Sequence, residues 1–85
     1  MRYFNNNVFA SSISESLSMT AVNLSPREYD VLQLICNGLS NREIGLNLHI
    51  AESTARGHVC ALIHKLNARN RTACAAEGIR RRLVV

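Results

Sequence analysis

What the chain lacks narrows its class before any motif is considered. Its three cysteines, Cys36, Cys60 and Cys74, are odd in number and form no C-x-x-C pair, which argues against both a disulfide framework and a zinc ribbon. A reducing cytoplasm is the expected setting. No apolar run approaches the roughly 18 residues of a membrane helix. The opening MRYFNNNVFASS holds one arginine but no continuous apolar stretch of the kind that directs secretion. A soluble, unexported chain with no membrane partner is therefore expected. There is no glycine loop to cradle a phosphate, and no nucleophile, base and orienter can be assembled. Neither catalysis nor a cofactor is anticipated. No internal repeat is visible, and 85 residues, 47% of them hydrophobic, suffice for one core but not for a second domain of ordinary size.

Acidic residues are scarce in one part of the chain only. Residues 1–53 carry Arg2, Arg27 and Arg42 against Glu15, Glu28, Asp30, Glu43 and Glu52, a net charge of −2. Residues 54–85 carry Arg56, Lys65, Arg69, Arg71, Arg80, Arg81 and Arg82 against Glu77 alone, a net charge of +6. Such a concentration favours a polyanion through counterion release, although basic residues at helix ends also arise to complement the helix dipole. Charge by itself leaves both readings open.

The first two dozen residues, rich in Asn and Ser, are expected to form a flexible arm over 1–23. Order is expected from residue 24 onward. Ser25-Pro26-Arg27-Glu28 is a capping box with proline at the first helical position, and the apolar set Val31, Leu32, Leu34, Ile35 and Cys36 follows before an Asn37-Gly38 stop. This predicts a helix over 26–37. Ser40-Asn41-Arg42-Glu43 repeats the box and opens a short helix with Ile44 and Leu48 on one face. A glycine inside a helix costs roughly 1 kcal/mol relative to alanine. Gly45 therefore marks either a close approach by another helix or a merely weak helix.

Leu48-His49-Ile50 forms a tight connection, with His49 where a positive φ is plausible and Ile50 plugging the core beneath. From about residue 52 the recurrence of Ala55, Val59, Leu62, Ile63 and Leu66 predicts a longer helix whose opposite face shows Arg56, Gly57, Cys60, His64 and Lys65. After a turn at 67–70, a last helix over 72–83 would place Ala76, Ile79 and Leu83 inward. The fold class is all-α: four helices around a helix-turn-helix.

Many small bundles share that outline, but the residues are more specific. Leu24-Ser25-Pro26-Arg27-Glu28, Val31-Leu32, Asn37-Gly38-Leu39-Ser40-Asn41-Arg42-Glu43-Ile44, Ser53-Thr54, His58, Lys65-Leu66 and Asn70-Arg71-Thr72 resemble, in order and spacing, the LuxR-type helix-turn-helix signature. The resemblance runs from Leu24 to Val84. It implies a tetrahelical domain over 24–85 that regulates bacterial transcription. The third helix would lie in the major groove of double-stranded DNA, and the fourth would pair two subunits on inverted half-sites.

On that footing Arg56 is the expected base reader, because its planar fork matches guanine O6 and N7. Thr54 and His58 match family positions at the phosphate backbone or groove edge. Lys65, Arg69 and Arg71 are expected backbone contacts, with Asn41 and Arg42 as weaker phosphate candidates. Gly57 and Cys60 stand where relatives often carry larger or basic groups, so base readout would be thin and rest partly on DNA shape. Ala51 stands where Ser or Thr commonly caps the recognition helix. A weak homodimer would centre on Cys74, Ala75 and Gly78, since Glu77 and Gly78 replace typically apolar or alanine positions.

Relatives of this type commonly carry an N-terminal receiver or sensor. With so few residues ahead of the domain, control by abundance or by a partner is expected instead. Other readings weigh less. His58, Cys60 and His64 offer ligand chemistry, but only Cys60 and His64 share a helix face, and two ligands do not make a structural zinc site. Region four of a sigma factor has a similar helix-turn-helix, yet a further helix after Asn70-Arg71-Thr72 fits the LuxR-type ending. The alternative of most substance is an accessory protein that pairs with a larger regulator and modifies its DNA binding; RNA polymerase is a further expected partner.

Overall fold

The computed structural model describes residues 22–85, which form four helices: α1 (Pro26–Cys36), α2 (Asn41–Leu48), α3 (Glu52–Lys65) and α4 (Arg71–Arg80). The arm expected over 1–23 lies outside the described residues except for its last two. Both capping boxes form. The Glu28 amide donates to Ser25 Oγ while the Ser25 amide donates to Glu28 Oε1, and Ser40 and Glu43 repeat the exchange at α2. Each exchange satisfies two backbone donors that the first helical turn leaves open. Asn70 caps α4 by accepting from the Ala73 amide, whereas Ala51 leaves α3 with no side-chain cap.

The helices stop by one shared device. A residue with positive φ follows each of them: Gly38, His49, Asn67 and Arg82. The next amide then reaches back five residues, as in Leu39 to Leu34, Ile50 to Gly45, Ala68 to Ile63 and Leu83 to Gly78. The left-handed turn at His49 is the one its sequence position predicted. Arg82 is a surprise, because an arginine has no special tolerance for that conformation.

The core brings Leu24, Val31, Leu32, Ile35, Ile44, Ala55, Val59, Leu62, Leu66 and Cys74 together, with Leu34, Leu48, Ile50 and Ile63 packed at its edge. The apolar periodicity of the first three helices therefore identified their inner faces. That of α4 did not. Ala76 and Ile79 point outward, and the buried positions are Cys74 and Gly78, with Leu83 only partly covered. The reason is the side chain of Leu32, which is wholly buried and fills the space beside α4: a Cβ on Gly78 would stand 3.0 Å from a Leu32 methyl carbon. Small residues face inward there because a large side chain already occupies the gap. The helix is also shorter than expected, ending at Arg80 before the reversal at Arg82 turns Leu83 and Val84 back toward the core.

Glu28 is the buried charge among the described residues. Burial alone would push its carboxyl up, but hydrogen bonds from Lys65 and Ser25 more than offset this and hold it below its ordinary value. A carboxyl held low in the fold adds stability that is complete above its unfolded pKa and lost as pH falls through its folded one. Wild type should therefore be more stable than Glu28→Gln at neutral pH. The two urea midpoints should converge as pH drops below about 4.3. Glu43 and Glu77, also held low by Ser40 and by Arg80 and Arg81 respectively, titrate in both proteins and cancel from the comparison.

Two helical glycines should respond oppositely to alanine. A Cβ on Gly45 would lie 2.8 Å from the Ile50 carbonyl oxygen, whereas one on Gly57 would have nothing within 4 Å. Gly45→Ala is expected to destabilise by about 1–3 kcal/mol through overpacking. Gly57→Ala should stabilise by about 0.5–1 kcal/mol through reduced backbone freedom. Urea denaturation of the two variants measures both.

Candidate nucleic-acid interface

The helix-turn-helix is α2, the turn His49–Ile50–Ala51, and α3. Its rigidity comes from Gly45, whose missing side chain lets the α2 backbone sit against Ile50, Ala51 and the Glu52 amide. Of the two readings of that glycine, close approach is the one realised, and the neighbour is the turn leading into α3. Ile44 beneath it is wholly buried and Ile50 packs at the core edge.

Alanine, valine and leucine at positions 55, 59 and 62 turn α3 inward, so Ser53, Gly57, Cys60 and His64, spaced at i, i+4, i+7 and i+11, form its outermost line. Arg56 flanks that line on one side. Thr54 and the half-buried His58 flank it on the other. The sequence pattern already sets His64 on this outer face; Ser53, one turn ahead of Gly57, completes it. The Arg56 side chain is 58% exposed and lies 3.7 Å from Glu52, an exposed i, i+4 pair worth about 0.3–0.5 kcal/mol at most. Such a pair yields easily to a stronger acceptor. The first turn of α3 has no side-chain cap among the described residues, which leaves backbone donors open at its start.

Two of the basic residues expected on phosphates are engaged within the domain instead. Lys65 Nζ donates to Glu28 Oε1 at 2.8 Å and to the Asn23 carbonyl at 3.1 Å. Arg71, half-buried, donates to Asn41 Oδ1 at 2.6 Å and to the Leu39 carbonyl, joining the start of α4 to the start of α2. Asn41, a weaker phosphate candidate, is thereby the acceptor of an internal bond. Lys65 and Arg71 thus serve first to brace the domain. Arg42 and Arg69 are exposed and carry no ion pair among the described residues.

The remaining basic tract is partly neutralised too. Arg80 and Arg81 both donate to Glu77, whose carboxyl is held down at about 2 by those two guanidinium groups. Glu77 is already counted in the +6 of the C-terminal part; the further offset comes from Glu28, paired with Lys65, and from Glu52, beside Arg56. Arg69, Arg80 and Arg82 are exposed.

The expected subunit contact also requires correction. Cys74 has no exposed surface and Gly78 lies against Leu32, so neither can meet a second chain without opening the core. Ala75 is half-buried, its carbonyl near the Cys36 thiol at 3.6 Å. The exposed line of α4 is Thr72, Ala76 and Ile79, with Ile79 60% exposed. No group of three or more His, Cys, Asp or Glu residues among the described ones could hold a metal ion.

The family described as "Bacterial regulatory proteins, luxR family" matches residues 22–77, from the chain leading into α1 to the middle of α4. The chain belongs to this luxR family. The class is one of DNA-binding, non-catalytic helix-turn-helix domains acting in transcription regulation, as the residue pattern implied. Among curated proteins, this luxR-family chain is 44% identical over 57 residues to "Transcriptional regulatory protein DegU" of Brevibacillus brevis, covering 67% of the chain and 24% of that relative. It is 41% identical over 59 residues to "Nitrate/nitrite response regulator protein NarP" of Escherichia coli K12, covering 69% and 27%. With "Probable transcriptional regulatory protein NarL" of Mycobacterium tuberculosis it shares 39% identity over 75 residues, covering 88% and 35%. The chain thus spans about a quarter to a third of the length of these relatives. Among the described residues, no helix is long and apolar enough to cross a membrane.

Replacing Arg71 tests the internal role assigned to it. Arg71→Ala removes two charge-assisted hydrogen bonds and should destabilise the domain by about 1.5–3 kcal/mol in urea denaturation. A phosphate contact would instead show as a salt dependence of DNA binding flattened by about one unit with stability unchanged.

Proposed function

We propose that this domain binds double-stranded DNA sequence-specifically, with α3 in the major groove, and so regulates transcription in the bacterial cytoplasm. The observation that carries the reading is the exposed, rigidly mounted face of α3. An α-helix fits the major groove, and a helix fixed by a backbone contact at Gly45 can present its side chains in one orientation. Arg56 is the base reader, with Gly57 and Cys60 leaving room for the helix backbone to approach the base edges. Thr54 and His58 meet the groove edge, and Arg42 and Arg69 meet phosphates. Lys65 and Asn41 contribute mainly by holding the elements that carry those contacts.

The domain acts as a weak homodimer on inverted half-sites, joined through the outer line of α4. The exposed Ile79, with Thr72, Ala76 and the half-buried Ala75, replaces the centre expected at Cys74 and Gly78. A second reading uses that face differently: the domain pairs through α4 with a larger regulator and modifies its binding. The relatives are regulatory proteins about three to four times the matched length, which supports pairing with a larger partner of that kind. RNA polymerase would be the downstream partner in the first reading.

Selection from a randomised duplex pool at two salt concentrations tests both. The expected result is an enriched inverted repeat whose guanine preference weakens in Arg56→Ala by about 1–3 kcal/mol at one base pair, with folding stability unchanged. Salt-sensitive retention without enrichment would favour the accessory reading.

A further inference from the structure

We propose that the Glu28–Lys65 pair orients α3, making Lys65 a positioning residue for sequence recognition; the inference rests on the DNA-binding reading above. Lys65 is the last residue of α3, and its ammonium reaches out of that helix to a carboxylate at the start of α1, 37 positions earlier in the chain. The Glu28 side chain is only 9% exposed, so its charge has little water to stabilise it and depends on Lys65 and on the Ser25 amide. The same ammonium donates to the Asn23 carbonyl, in the chain just ahead of α1. One cation therefore joins three segments at the end of the recognition helix.

The start of α3 is held against Gly45, so loss of the brace at Lys65 would let the helix tilt about that held end. Arg56 stands four residues from Glu52, about 6 Å along the helix axis. A tilt of about 10° would shift Arg56 by roughly 1 Å, more than the tolerance of about 0.5 Å for a well-held binding group. Lys65 is 39% exposed, so a competing role at a phosphate is sterically open and must be distinguished. Glu28 separates the two, because it is buried and does not itself reach the outer face.

The experiment is Glu28→Gln in the full chain, measured on the duplex selected by wild type and on random duplex across a salt series. Glutamine keeps the capping box, since an amide oxygen can still accept from the Ser25 amide. The expected result is a specific-to-random affinity ratio reduced about tenfold with an unchanged salt slope. Lys65→Met should give the same loss, and the double variant should be no worse than either single one. If Glu28→Gln instead tightens binding to every duplex and steepens the salt slope by about one unit, Lys65 is a phosphate contact and the proposal is overturned. Residual dipolar couplings of the α1 and α3 amides in the free proteins supply a reading independent of DNA: a changed angle between the helices in Glu28→Gln is expected, and an unchanged one overturns the proposal. Should Lys65→Met fail to fold, Glu28→Gln alone decides through these two measurements. Should wild type select no sequence, the DNA-binding reading falls and the functional part of this proposal with it; a selective wild type with equally selective variants removes this proposal alone.

Discussion

Between the backbone of α2 and the turn that enters α3 there is no room for a methyl group. The space at Gly45 is closed by the carbonyl of Ile50 and the amide of Glu52. Because the contact is backbone to backbone, no rotamer change can relieve an added side chain there. The angle between the two helices is thus held by main-chain geometry, with His49 in a left-handed turn reversing the chain between them. Ile44 fills the core below, and the outer line of α3 is presented as a consequence.

The charge distribution serves this frame before it serves any ligand. Hydrogen bonds from Lys65 and Ser25 hold the buried Glu28 carboxyl below its ordinary value, against the upward push of burial. Arg71 reaches across from α4 to the start of α2, and Glu77 gathers Arg80 and Arg81. Long cationic side chains can pack their stems while directing their heads to internal acceptors. A net positive charge measured over the sequence consequently says more about attraction at a distance than about which residues touch a polyanion.

The luxR-family assignment adds a class to this geometry, and the geometry in turn separates residues that a family pattern groups together. Lys65 and Arg71 occur in the matched segment alongside Thr54, Arg56 and His58. Two of these five are internal braces, and three stand on the outward half of α3 or at its edge. The inward turn of Cys74 and Gly78 has the same character, since Leu32 needs the space that a larger residue on α4 would take.

Much of the fold was legible in the residues. Ser25 and Ser40 with their glutamates marked two helix starts, Gly38 and His49 marked two stops, and the spacing of Ala55, Val59, Leu62 and Leu66 marked the inner face of α3. Each of these signals acts between residues a few positions apart, and so the sequence by itself determined the element order, the helix-turn-helix and the outward face of α3. Tertiary structure alone decided which acceptors Lys65 and Arg71 would find and which face of the small-residue helix α4 would turn inward. The acceptors lie 30 to 37 positions away, at Asn41 and Glu28, and the side chain that shapes α4 belongs to Leu32 in another helix. Such partners are set by how the helices pack, and no local periodicity encodes them.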